Sequence, residues 1–399
     1  MKHILAYILL SLLALHTKAQ QAEADSTKPA LPTDVYAYYI EVTPGNTFTT
    51  MLGHAAIRMQ CPSAGLDYCF TVKSPEIGNE FTAMTLRTLR AGLVPEKTQQ
   101  FRHDYESEGR GLTQYKLNLT LNETRHLWQI LDTRVAQGLY RNLDYIHNGC
   151  AQEMASEIMA AVQERSINFD AIADELLPYE NRRQILARYR NTRTWKGFLG
   201  HSLYGGSPDE TVKGTDKLIM PLDVASALQK AGLADEPELL SEPTLTDDTP
   251  FFNPFVCAVL LLLLSLIPVS TPFTHYILWT LHFLTGLLLA WLIFVSKTPG
   301  TEWNWFIIPF CPLPFLLLRW TGRRTYRFYS FILLAFIAFM IIHLNKHFFI
   351  EQLFIVSSIL IRTIYKSFNI NPLKNIQKNE ENLFISIVCR NKPCCLCRR

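Results

Sequence analysis

Cys61, Cys69 and Cys150 stand in the N-terminal half of the chain, and Cys150 has the setting of a nucleophile. Asn148-Gly149-Cys150 runs directly into residues 150–164, where Met154, Ile158 and Val162 recur at helical spacing. The thiol therefore falls in the first turn of a helix, with Asn148 or Gly149 near the cap. Unsatisfied N–H groups and the positive end of the helix dipole favour thiolate over thiol, and the same groups can hold the oxyanion of an attacked ester or amide. The thiol still requires a base. His54 is the leading partner: Gly53 frees the backbone before it, and Ala55 and Ala56 leave room around the imidazole. His103, His126, His147 and His201 are weaker competitors. Asp67 and Tyr68, on the following strand, can orient the His54 ring. The alternative makes Cys150 a buried small hydrophobe and His54 a structural strand residue. Cys61 and Cys69 flank one turn and can pair in an oxidising compartment, which leaves Cys150 odd.

The elements that must position these residues can be read from periodicity. Residues 35–42, 54–59 and 67–72 are aromatic and β-branched runs separated by turn residues, and residues 111–119 alternate, so all four are expected as strands. Residues 120–137 and 150–164 have helical spacing, the first opening with a Thr120/Glu123 capping box. Residues 81–90, 178–199 and 221–231 are also expected as helices. The fold class is α+β, with strands early and helices late. Arg58 and Arg110 can meet a phosphate or carboxylate; the alternative is salt-bridged surface arginines. Residues 81–93 can border an acyl groove or simply pack.

The ends of the chain set the compartment. Residues 1–19 read as a signal peptide, with Lys2 and His3, an apolar core and a small-residue cleavage site before Gln20. Residues 20–34 are a flexible lead-in, 35–236 a periplasmic domain, 237–252 an acidic linker, 253–365 a transmembrane helical domain and 366–399 a cytoplasmic tail. Apolar runs at 256–269, 276–295, 303–318, 328–344 and 348–364 approach the ~20 residues of a spanning helix, giving a bundle of about five. Arg319, Arg323, Arg324 and Arg327 cluster after the third run, and Lys366, Lys374 and Lys378 follow the fifth. The positive-inside rule and the signal peptide thus agree on an N-terminal domain outside and a tail inside. The net charge of +3 averages unlike halves, and no basic stripe with interleaved aromatics marks the exported half, so nucleic-acid binding is not expected. No cofactor is expected, and no metal either: Cys389, Cys394, Cys395 and Cys397 are too compressed for a paired-hairpin zinc site.

The order of a Gly-His strand followed far downstream by a helix-opening Cys resembles the circularly permuted branch of the papain-like NlpC superfamily. More closely, residues 35–235 resemble the N-terminal periplasmic domain of the Lnb-type lipoprotein N-acyltransferases of Bacteroidetes. The matching stretches are YIEVTPGNTF from Tyr39, LGHAAIR from Leu52, YESEGR from Tyr105, NLTL from Asn118, Asn148-Gly149-Cys150, and FLGHSLYGGS from Phe198. Gly149 intervenes where the family has Asn and Cys adjacent. The resemblance implies a permuted papain-like domain with Cys150 as nucleophile and His54 as base. It further implies a phospholipid acyl donor, a lipoprotein acceptor and attachment to the inner membrane. The residues alone support thiol-based acyl chemistry, and leave open a cysteine hydrolase of the cell envelope or a non-catalytic membrane-anchored scaffold.

Overall fold

The computed structural model describes residues 32–47, 50–74, 90–142, 144–189, 193–245, 249–266, 272–296, 299–313, 323–344 and 347–368. The expected signal peptide, most of the helix expected at 81–90, and the tail beyond 368 lie outside the described residues. The architecture is α+β: one seven-stranded antiparallel sheet and eleven α-helices among the described residues.

The strands are β1 (Tyr36–Val42), β2 (His54–Cys61), β3 (Leu66–Lys73), β4 (Arg90–Lys97), β5 (Leu112–Lys116), β6 (Arg141–Asn142) and β7 (Glu238–Ser241), in the spatial order β6-β4-β3-β2-β1-β5-β7. Because side chains alternate across a strand, β2 divides between two faces. Ala55, Ile57 and Met59 join Tyr39, Phe70 and Val72 in the larger core. Helices α2 (Leu121–Gln137), α3 (Cys150–Ala161), α4 (Phe169–Leu176) and α7 (Pro221–Lys230) cover that face. Ala56 joins Ile40, Val42, Cys69 and Leu112 on the other face, under Phe101 and Tyr105 of α1 (Thr98–Ser107).

Local chemistry accounts for the helix starts. Thr120 accepts from the Glu123 N–H while Glu123 reaches back to the Thr120 N–H, closing the expected capping box of α2. Glu153 and Glu157 of α3 are both buried, and Arg134 of α2 and Arg141 of β6 bond to them, clamping α3 against its neighbours.

Three expectations change. Residues 178–199 form two helices, α5 (Arg182–Ala187) and α6 (Trp195–Leu203), each with its own cap: Asn181 and Thr194 accept from the N–H three residues on. The acidic linker begins as an edge strand, for β7 pairs with β5 and Gln114 donates to Glu238 at 2.7 Å. Cys61 and Cys69 are both free, because the β2–β3 register sets Cys61 opposite Leu66 and Cys69 opposite Arg58.

The C-terminal part comprises α8 (Pro254–Leu266), α9 (Pro272–Phe294), α10 (Arg323–Ile342) and α11 (Ile350–Phe368). Among the described residues, 324–342 alone are long and apolar enough to cross a membrane, and Pro254–Leu266 and Trp279–Phe294 are shorter apolar stretches. The third apolar run of the sequence opens with a 3-10 turn at Trp305–Ile307, and residues 314–322 lie outside the described residues. The seam between the two parts includes backbone and polar side chains: Gly205 N donates to Gly300 O (2.6 Å), Gly206 N to Glu302 O (3.0 Å), and Asn304 and Gln352 both bond Ser202.

Candidate functional site

Cys150 is the first residue of α3, behind a Gly149 cap whose N–H donates to Gln152 at 3.2 Å. The cap is Gly149, and Asn148 stands exposed one residue earlier. Helix α3 packs on β2, and the backbone N–H groups of Ala55 and Ala151 act on the Cys150 sulfur to favour its thiolate. Two N–H groups acting on one sulfur at a helix start are the donors that an oxyanion needs. Burial pushes the thiol above its ordinary range, and these N–H groups and the Arg110 charge offset part of that rise. Cys150 therefore rests as a thiol, and attack requires removal of its proton.

His54 opens β2, one residue before Ala55. Gly53 precedes it at φ +79°, a conformation in which a Cβ would lie 2.8 Å from the Val42 carbonyl oxygen, so the glycine is required there. The imidazole leans onto the α1 face of the sheet. Its Nε2 bonds Thr71 Oγ1, and its ring lies 5.6 Å from the Tyr105 ring. Thr71 Oγ1 donates its own proton to the Ala55 carbonyl at 3.3 Å. The hydroxyl must then accept from His54, which puts the proton on Nε2 and leaves Nδ1 as the basic atom. Burial pushes His54 down to about 3, with the Arg110 and Lys73 charges adding to the shift. It is a neutral base near pH 7. No hydrogen bond joins the imidazole to Cys150 among the described residues, so the two candidates flank the same Ala55 peptide without a resting contact.

Arg110 is buried at 2% exposure. It donates from Nε to the Thr43 carbonyl at 2.8 Å, pairs with Glu108 at 3.3 Å, and lies 4.7 Å over the Tyr105 ring. Its Nη2 is buried with no hydrogen-bond partner among the described residues. Arg110, Tyr105 and His54 thus form one stack, and Arg110 belongs to the Cys150 site.

Neither the family models, nor the curated proteins, nor the solved structures give a match to this chain.

Other expected site residues lie elsewhere. Asp67 is held bidentately by Arg58 (2.8 and 2.7 Å) and accepts from Thr98 at 2.6 Å. That engagement, four residues along β3 from Thr71, removes Asp67 from the role of orienting His54. Tyr68 points to the opposite face, against the core that packs on α3. Arg58 is bound by Asp67 and Gln114 and stacks on Tyr38, in a surface ion cluster away from Cys150. Thr71 and Tyr105 are the partners that the sequence reading missed. The hairpin carried the signal for Thr71: with Cys61 opposite Leu66, the extended register sets His54 diagonal to Thr71 on one face. Among the described residues no group of three His, Cys, Asp or Glu is placed to hold a metal ion.

Proposed function

We propose that the protein is a thiol-dependent acyltransferase, anchored in the inner membrane by its apolar helices, with the sheet domain on the periplasmic side. The observation that carries this reading is the convergence on one peptide: Cys150 opens α3 with the Ala55 N–H acting on its sulfur, and His54 is the residue before Ala55. In the proposed cycle His54 Nδ1 takes the Cys150 proton as the sulfur attacks a phospholipid ester carbonyl. The N–H groups of Ala55 and Ala151 bind the oxyanion, and the lyso-lipid alkoxide leaves with the proton from His54. The α-amine of a lipoprotein's N-terminal cysteine then attacks the thioester, and the amide forms as the thiol regains its proton. A neutral His and a neutral Cys suit a site that admits acyl chains, since an ion pair there would bear a desolvation cost. Arg110 Nη2 is available to the donor phosphate or to the developing charge. The identities of donor and acceptor rest on the resemblance of residues 35–235 to the Lnb-type acyltransferases.

The test is mass spectrometry of a reporter lipoprotein's N-terminal peptide from cells that depend on this protein. Loss of the N-acyl mass in Cys150→Ala and in His54→Ala, with both variants folded and present, supports the reading. Unchanged acylation in Cys150→Ala removes it.

A further inference from the structure

A second cluster of nucleophile and base joins the loop that leads into α3 to the turn that follows α6. Ser207 Oγ is 3.0 Å from His147 Nε2, and His147 Nδ1 is 2.9 Å from Asp144 Oδ2. The carboxylate is itself aimed: Asp144 Oδ1 accepts the backbone N–H groups of Ile146 (2.9 Å) and His147 (3.0 Å), leaving Oδ2 for the ring. An ionised carboxylate only accepts, so the ring proton sits on Nδ1 and the Nε2 lone pair faces the Ser207 hydroxyl. That is the Ser-His-Asp relation in every hydrogen bond, and it is recognised by geometry rather than by order along the chain. His147 and Asp144 are each partly open to solvent, as is Ser207, so a substrate can reach them.

The surroundings point to a substrate class. Ser207 opens the 3-10 turn Ser207–Asp209, which Arg183 (2.6 Å) and His347 (2.7 Å) hold through Asp209. Gly205 and Gly206 dock the same turn to the backbone of Gly300 and Glu302. Exposed Trp303 and Trp305 follow at once. A cavity of about 460 Å³ with a largely apolar lining reaches Leu203, four residues before Ser207, and Leu289, Phe306 and Phe310 also contribute to it. Four residues of chain span at most about 14 Å, so Ser207 lies within reach of the Leu203 wall.

We propose that Ser207, His147 and Asp144 form a second, serine-based site that cleaves carboxylic esters of long-chain acyl groups, with the chain lying in this cavity. Ser207 Oγ attacks the ester carbonyl and gives its proton to His147 Nε2. The ester C–O bond breaks, and the alcohol leaves with that proton. Water then attacks the acyl-serine, the fatty acid leaves, and the proton returns to Oγ through His147. The activity stands apart from Cys150.

The experiment uses the full chain in detergent, in a Cys150→Ala background so that the thiol contributes nothing. A fluorophosphonate–biotin probe forms an Oγ–P bond with loss of fluoride only at an activated serine. Peptide mass spectrometry is expected to find it on Ser207. Asp144→Asn keeps the turn acceptor but offers an amide N–H to Nδ1, forcing the wrong tautomer; labelling is expected to fall at least 100-fold, as when the orienting carboxylate of such a triad is changed. Hydrolysis of p-nitrophenyl palmitate is expected to vanish in Ser207→Ala. In Leu203→Trp it is expected to fall about tenfold, since loss of chain burial removes binding energy. No label on Ser207 in the folded protein overturns the proposal, as does palmitate hydrolysis that is equal in Ser207→Ala. Since every arm lacks Cys150, failure here leaves the acyltransferase reading untouched, and failure of that reading leaves these results standing.

Discussion

Thr71→Val isolates the contact that fixes the His54 tautomer. Thr71 is completely buried, and valine keeps its shape while deleting the hydroxyl. Two bonds are lost: the one accepted from His54 Nε2 and the one donated to the Ala55 carbonyl. The Nε2–H is left unmet, so the cost to stability is about 2 kcal/mol. The larger consequence is chemical. Without an acceptor at Nε2 the proton can sit on either nitrogen, and the ring can turn away from Ala55. General-base assistance contributes about 10²–10⁴ in rate, and losing its orientation forfeits part of that, about 10–100-fold in acyl transfer. Thr71→Ser retains the hydroxyl and is expected to transfer at close to the wild-type rate, which separates the hydrogen bond from bulk. The assay is the initial rate of N-acylation of a reporter lipoprotein by full-length protein in phospholipid vesicles, read beside thermal melting of each variant. A Thr71→Val protein that transfers acyl groups at the wild-type rate would refute the tautomer assignment, whatever its melting temperature.

Other perturbations follow from the same geometry. Gly53→Ala is expected to lower stability by about 2 kcal/mol, and to slow transfer through displacement of His54, since the new Cβ meets the Val42 carbonyl and the backbone stays at φ +79°; Gly53→Ala melting like wild type would contradict this. Glu153→Gln breaks the hub between Arg134 and Arg141, and is expected to cost about 3 kcal/mol in chemical unfolding and to loosen the start of α3; a cost below measurement would count the hub as ornament. His54 titrates at about 3 in the folded chain against about 6.5 unfolded, so folding favours its neutral form. Its contribution is fully present above pH 6.5 and is lost as pH falls toward 3. At ~1.4 kcal/mol per unit it can reach about 5 kcal/mol, an upper bound for a group with some accessible surface. His54→Gln should therefore flatten the acid limb of the melting-temperature profile between those pH values, and an unchanged slope would assign the limb to other groups.

The parts of this fold that sequence could reveal are those governed by neighbours along the chain. The capping box of α2 and the thiol at the start of α3 needed only local spacing, and both are present. What escaped depended on pairing between distant segments. β4 (Arg90–Lys97) has Gly92 and Pro95 in its middle, which weaken the strand signal, yet it is built against β3. β7 lies in a stretch with linker composition and becomes a strand by adding to the edge of β5. Asp67 had the chemistry of an orienting acid, but Arg58 on the neighbouring strand claims it, a competition that only the register reveals. His147 had no motif behind it, and its partner Ser207 lies 60 residues on.

The glycine seam constrains how this protein could ever be rebuilt. A Cβ on Gly205 would stand 1.6 Å from the Glu302 carbonyl oxygen. That junction is peptide against peptide, with no side chain to trim or swap. Interfaces made of side chains can drift by compensating substitutions on either side; a backbone contact offers no such currency. A different set of apolar helices could not be grafted below the sheet by matching surface chemistry, because the graft would have to reproduce the path of residues 300–302 itself.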